Sequence, residues 1–358
     1  MKIAVITGAT SGIGKSILKL FLDNEYTVWA AYRDIKHKKF LASLSENVIP
    51  FRIDLSKKWT IREAIKNINE GTDKIDVLVN VAGKVVAGPL EVLSVDKIRE
   101  QFEVNTFGQL EFAQGLYEKL DGGKIINISS MASYGLFPFI APYCASKKAL
   151  DMLFSSLMIE TGARIKIISV KPGVISTPLW SKAIEENEEN IGSEKYRDIG
   201  NFLKSNAKQN ISKGLNSEIV AKKVLEIANL KNPKKSYTVG LDAFAARIVS
   251  KLPQNIIDII IEKNLAKQID NYIKKSSVND INGDEDIEEY DDYSHDEDRD
   301  PIDTIFNKEK TIGLTKNVEV SEKLKPDSNI EEEKEEKAEK SDKNIESALE
   351  KAIKYNKS

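Results

Sequence analysis

The chain is poor in the residues that staple, ligate or span. Its 358 residues hold one cysteine and two histidines, and no run of eighteen apolar residues occurs. A single cysteine, Cys144, excludes an intrachain disulfide, and its place beside Tyr143 reads as small packing rather than nucleophilic chemistry. His37 lies in a lysine-rich connection and His295 in an acidic stretch, so no metal site is expected. The missing apolar run excludes a membrane-spanning helix. The N-terminus enters an apolar strand without a signal pattern, and the expected location is cytoplasmic.

Charge is present but unevenly placed. The net charge of −3 conceals a shift near residue 276. Residues 276–358 carry 26 Asp and Glu against 13 Lys and Arg, which leaves the remainder at +10. With so little apolar surface to offset its ordering entropy, 276–358 is expected to be a disordered charged tail. Residues 1–240 form the expected catalytic domain. The segment 241–275 is amphipathic, with Phe244, Ile248, Leu252, Ile256 and Ile260 among lysines and a break at Pro253. Two readings stay open for it: a helical hairpin packed on the core or on a second subunit, or a lysine-flanked helix on an anionic membrane surface.

Within the first 240 residues, short apolar runs alternate with helical periodicity. Strands are expected at Thr27–Ala31, Val48–Ile53, Val77–Val79, Lys124–Ile128 and Ile165–Val170, and helices at 12–23, 60–69, 94–119, 143–160 and 217–229. Strands apolar on both faces between helices imply an α/β fold, a doubly wound parallel sheet in a single domain. The first strand, Lys2–Ile6, runs straight into Thr7-Gly8-Ala9-Thr10-Ser11-Gly12-Ile13-Gly14 and then into helix-period residues. Glycines there let a backbone approach a pyrophosphate, and the helix start offers unpaired N–H groups, so a dinucleotide is the expected guest.

Tyr143 and Lys147 are four apart and fall on one face of the helix expected over 143–160. An ammonium beside a phenol favours the phenolate, which would bring the tyrosine's pKa down towards neutrality and make it a usable acid or base.

Together, Thr7-Gly8-x-x-x-Gly12-Ile13-Gly14, Asn80-Val81-Ala82-Gly83, Asn105, Ser130, Tyr143-x-x-x-Lys147 and Pro172-Gly173 resemble the short-chain dehydrogenase/reductase family over about residues 1–250. Val81 departs from the family's Asn-Asn-Ala-Gly pattern. The resemblance implies a Rossmann-like fold and an oxidoreductase that moves hydride between a nicotinamide and a CH–OH or carbonyl carbon. Ser130 would hold the substrate oxygen and Tyr143 would act as general acid/base. Lys147 would lower the tyrosine's pKa and bind the ribose, and Asn105 would hold a water leading to that lysine. Cofactor contacts are implied for Thr7, Gly8, Ser11, Gly12, Ile13 and Gly14, then Asp54, Leu55, Asn80, Ala82 and Gly83. Tyr143, Lys147, Pro172, Gly173 and Thr177 complete the set. After the second strand, Tyr32 stands where an NAD-selecting carboxylate would be and Arg33 follows, which favours NADP(H). Asp34 keeps NAD(H) open as the alternative.

The substrate is expected to be a small molecule, with no nucleic-acid partner. The lid, 177–216, carries spaced apolar residues such as Leu179, Trp180 and Phe202, and Met131, Tyr134, Phe137, Phe139 and Ile140 would wall the site. These suit a bulky apolar ketone or alcohol, of lipid, steroid or retinoid type. The segment 80–90 resembles the branch of retinol, 17β-hydroxysteroid and acyl-dihydroxyacetone-phosphate reductases. Family resemblance implies a homo-oligomer. A non-catalytic dinucleotide sensor on the same fold is the alternative function.

Overall fold

The computed structural model describes residues 2–186 and 196–282. Residues 283–358, most of the expected tail, and the lid segment 187–195 lie outside the described residues. Seven strands, β1 (Lys2–Ile6), β2 (Tyr26–Tyr32), β3 (Val48–Arg52), β4 (Val77–Asn80), β5 (Lys124–Ile128), β6 (Lys166–Pro172) and β7 (Ser236–Val239), form one sheet. Its order is β3-β2-β1-β4-β5-β6-β7 and every pairing is parallel. The order reverses between β1 and β4, which opens a crevice at their C-terminal ends.

Two-residue periodicity divides the strands between two cores. Ala4 and Ile6 of β1, Val28 and Ala30 of β2 and Val79 of β4 face helices α1 (Gly12–Asp23) and α9 (Ser217–Asn229), meeting Ile17, Phe21, Val224 and Ile227. Val5, Trp29 and Leu78 face the other way, onto α3 (Lys58–Gly71), α5 (Gly108–Gly115) and α6 (Ala141–Glu160), where Ile61, Phe112 and Phe154 are buried. The sheet is thus covered on both sides.

The helix expected over 94–119 is broken. It starts as α4 (Val95–Phe102), passes through a π-helical turn at Glu103–Phe107, resumes as α5 and ends in a 3₁₀ turn at Tyr117–Leu120. The wide turn drops Asn105 into the interior, fully buried. Sequence periodicity also passed over α2 (Lys36–Leu44) and β7. The first is short and half lysine and histidine, and the second is a four-residue edge strand.

The described part of the segment expected as a lid forms α7 (Leu179–Glu185) and α8 (Arg197–Lys213). Beyond β7, α10 (Leu241–Val249) and α11 (Gln254–Asn282) flank the break at Pro253. Ala243 and Ala246 of α10 are buried against Met131, and the Tyr272 ring of α11 meets Phe202 of α8 with centroids 6.0 Å apart. The described helix therefore runs past residue 276. Among the described residues, no helix is long and apolar enough to cross a membrane.

Candidate active site

The turn between β1 and α1 is shaped by its glycines. Gly8 and Gly12 hold φ of +65° and +51°, where a side chain would be strained. A Cβ on Gly14 would lie 2.0 Å from the Gly8 carbonyl oxygen, so the turn closes only with glycine there. Ser11 caps α1 without a side-chain hydrogen bond, which leaves the first helical N–H groups free of a side-chain acceptor. The turn borders a cleft of about 370 Å³ at the crevice between β1 and β4. Close backbone, open N–H groups and the helix dipole make this cradle fit a dinucleotide's pyrophosphate.

The cleft brings most of the expected residues together. Gly8, Ser11, Gly12 and Ile13 line one end with Arg33, Asp54 and Leu55. Ala82, Gly83, Pro172, Gly173 and Thr177 line its middle, and Ser130, Tyr143 and Lys147 the far end. Four expected residues stand behind the wall and serve the structure instead: Thr7, Gly14, Asn80 and Asn105. The buried Thr7 hydroxyl accepts from the N–H groups of Val81 and Ala82 at 2.9 and 3.2 Å, tying β1 to the segment after β4. Asn80 donates to Asn127 Oδ1 on β5 at 2.8 Å. Asn105 spends both ends of its amide on Lys84, donating to the carbonyl and accepting from the N–H, each at 2.8 Å. It also donates to Ser146 Oγ at 3.0 Å. Its side-chain amide thus grips the chain directly beside Gly83.

At the far end, Ser130 begins a 3₁₀ turn directly after β5, and its Oγ accepts from Ala132 N–H at 3.1 Å. The Tyr143 hydroxyl is close enough to Ser130 to feel its influence. Both Tyr143 and Lys147 are buried on the inner face of α6. Lys147 Nζ donates to the Ile128 carbonyl at 2.8 Å and lies 5.9 Å from the centre of the Tyr143 ring.

The expected lowering of the tyrosine's pKa is not what this arrangement gives. Burial pushes Tyr143 up to about 12, against a smaller downward pull from Ser130. Burial likewise pushes Lys147 down to about 8, opposed by the Asp151 carboxylate. Desolvation outweighs the pairing because the ammonium is turned to a carbonyl and not to the phenol oxygen.

At the adenosine end, Asp34 is occupied. It accepts from Lys36 N–H at 3.1 Å and pairs with the Lys36 ammonium at 3.0 Å, and these bonds hold its carboxyl below the usual range.

Sequence reasoning missed Lys84. It lines the cleft and pairs with Glu100 on α4 at 3.0 Å and with Glu186, just past α7, at 3.1 Å. Its place directly after Gly83 was the available signal, but the partners are far away in sequence.

Residues 2–188 match the family model described as short chain dehydrogenase. The NADPH-dependent 3-dehydrocapnine reductase of Ornithobacterium rhinotracheale is 30% identical over 75% of this chain and 98% of its own. The NADPH-dependent 1-acyldihydroxyacetone phosphate reductase of Saccharomyces cerevisiae is 28% identical over 66% of this chain and 82% of its own. Among solved structures, ElxO with NADP bound is 26% identical, with a TM-score of 0.54 over 68% of this chain and 97% of that one.

Proposed function

The chain belongs to the short-chain dehydrogenase/reductase family of oxidoreductases, and from that premise we propose that it is an NADP(H)-dependent reductase of bulky apolar ketones, running in reverse on the matching alcohols. The observation that carries the reading is the meeting of the Ser130 and Tyr143 hydroxyls at the far end of a cleft that begins at the glycine turn. When bound, the nicotinamide would supply the hydride that goes to the carbonyl carbon. Ser130 donates a hydrogen bond to the substrate oxygen, and Tyr143 gives that oxygen its proton. Burial keeps Tyr143 protonated, and the cost of the phenolate it leaves falls to the neighbouring charge to offset. Lys147 keeps a positive charge near the phenolate that remains until solvent returns the proton.

Preference for NADP(H) rests on Arg33 at the adenosine end and on Asp34 being held by Lys36. The two relatives, both NADPH-dependent reductases, and ElxO with NADP bound lean the same way. The substrate class rests on the wall around Tyr143. Val85, Leu179, Trp180 and Ala183 line the cleft there and pack with Tyr143, whereas Met131, Tyr134, Phe137, Phe139 and Ile140, expected in the wall, are not among its lining residues. Such a lining offers apolar contact and few hydrogen bonds.

The direct test titrates the protein with NADPH and NADH by nicotinamide fluorescence, then adds long-chain keto, steroid and retinoid compounds and follows oxidation. Turnover of a bulky ketone with NADPH is the expected result; binding with no turnover across the panel would sink the assignment.

Exposed Phe107, Met152, Leu153 and Ile159 make an apolar patch along the π-helical turn and α6, which suits pairing with a second copy. Light scattering on the wild type and on Met152→Glu checks it, and an unchanged mass would remove this face as the interface. Exposed Leu241, Ile248, Ile256 and Ile259 among lysines keep a peripheral anionic-membrane contact in view. Flotation with anionic liposomes decides that point, and failure to float removes it.

A further inference from the structure

Tyr143 and Lys147 do not end the inner face of α6. One turn further on stands Asp151, a carboxylate only 9% exposed, to which the reading above gives no work. Charged groups this deep are costly unless they are paired, so its neighbours are informative. Asp151 Oδ1 accepts from the Ser169 hydroxyl on β6 at 2.9 Å. The Lys171 ammonium, also on β6, approaches Oδ2 at 2.8 Å, off the line of a directed hydrogen bond, so this contact is an ion pair. The two side chains are 12% and 11% exposed.

Lys171 is itself placed from a third direction. Its ammonium sits 4.4 Å from the centre of the Tyr134 ring, and the Tyr134 hydroxyl shares a 2.6 Å hydrogen bond with Thr238 on β7. Tyr134 directly follows the 3₁₀ turn that begins at Ser130. The carboxylate is therefore fixed by the sheet and by the turn that also carries the serine.

We propose that Asp151 is a positioning residue of this site: held by Lys171 and Ser169, its carboxylate keeps Lys147 charged one helical turn from Tyr143. The proposal rests on the oxidoreductase reading only for the use made of that charge. On α6, Lys147 lies between Tyr143 and Asp151. From β5 it meets the Ile128 carbonyl, and from the π-helical turn Asn105 reaches its neighbour Ser146. Of these, Asp151 is the one acidic side chain. The upward pull of Asp151 on a lysine that burial pushes down agrees with that role. Lys171 holds the Asp151 carboxylate in place, without standing on Lys147 itself.

The test follows the Lys147 side-chain nitrogen by ¹⁵N NMR across pH in the full-length protein, with Lys147→Arg to assign the signal. This readout needs no turnover, so it can fail while the assigned activity stands, and the reverse. Asp151→Asn is expected to move the Lys147 midpoint to lower pH by about one unit, and Asp151→Glu to restore most of it. Lys171→Met loosens the same network but leaves the carboxylate, so its midpoint stays at or above wild type. An unmoved midpoint in Asp151→Asn overturns the proposal, as does a fall in Lys171→Met equal to that in Asp151→Asn. Should Asp151→Asn fail to fold, Lys171→Met decides alone: a lowered midpoint overturns the proposal, and one at or above wild type supports it.

Discussion

Asn105 holds the backbone of Lys84 from both sides, its Nδ2 donating to the carbonyl and its Oδ1 accepting from the N–H, each at 2.8 Å. The pairing joins the π-helical turn to the strand-end loop that lines the cleft. The same Lys84 sends its ammonium to Glu186 at 3.1 Å, so a buried amide and the described edge of the lid are linked through one residue. Asn105→Ala leaves two half-buried backbone groups without partners. A loss of about 2–4 kcal/mol in denaturant stability is expected, since each orphaned group costs about 1–3 kcal/mol. A loss under about 0.5 kcal/mol would mean that water or a neighbour replaces the amide, and that the grip is not structural.

Tyr143→Phe tests the proton donor. The ring keeps its packing among Val85, Ala132 and Cys144, and only the hydroxyl facing Ser130 is lost. NADPH affinity should change by less than about threefold, while turnover of a ketone falls by about 10²–10⁴-fold, the usual worth of a placed acid. Full turnover in the variant would remove Tyr143 from the chemistry.

The fold was legible because its strongest signals are local. Alternating apolar strands, the glycine turn and the four-residue spacing on α6 each follow from neighbours in sequence, and the sheet and cleft agree with them. What stayed hidden depends on distant partners. Nothing near Asn105 announces a π-helical turn, because the wide turn exists to aim that amide at Lys84, twenty-one residues away. Thr7 and Asn80 belong to the motif, yet the structure spends them on tying strands and keeps them behind the cleft wall. The direction of the Tyr143 shift was misjudged for a related reason: spacing shows that two groups are close, and only burial shows which of their effects wins.

Arg33 carries the cofactor preference. It lines the cleft next to an aspartate that Lys36 already holds. Arg33→Ala should weaken NADPH binding by about 10–100-fold, the worth of one or two charge-assisted hydrogen bonds, and leave NADH binding within about twofold. Asp34→Ala should leave the ratio of the two affinities nearly unchanged. If Asp34→Ala instead abolishes NADH binding, that carboxylate reaches the ribose and the preference must be reassigned.

The buried pair on α6 sets the pH dependence, and its sign follows from the two displacements. Lys147 has a folded pKa of about 8, below the 10.5 it has in an unfolded chain. Between those values the unfolded state binds the extra proton, so stability rises with pH across that window, by about 3 kcal/mol if the full shift is expressed. Tyr143 acts above it. Its folded pKa of about 12 exceeds the unfolded 10.0, so the unfolded chain ionises first and stability falls again above about pH 10. Urea denaturation at pH 7.5 and 9.5 should therefore show the higher midpoint at 9.5, and Lys147→Met should abolish the gain. Catalysis runs the other way across the same window. Reduction needs the Tyr143 proton, which is present throughout, and the Lys147 charge, which is lost above about pH 8. The rate of ketone reduction at saturating NADPH should hold flat from pH 6 to about 8 and decline beyond. A rate still rising at pH 9.5 would show that the neutral amine serves as well as the ammonium, and would detach Lys147 from the proton transfer.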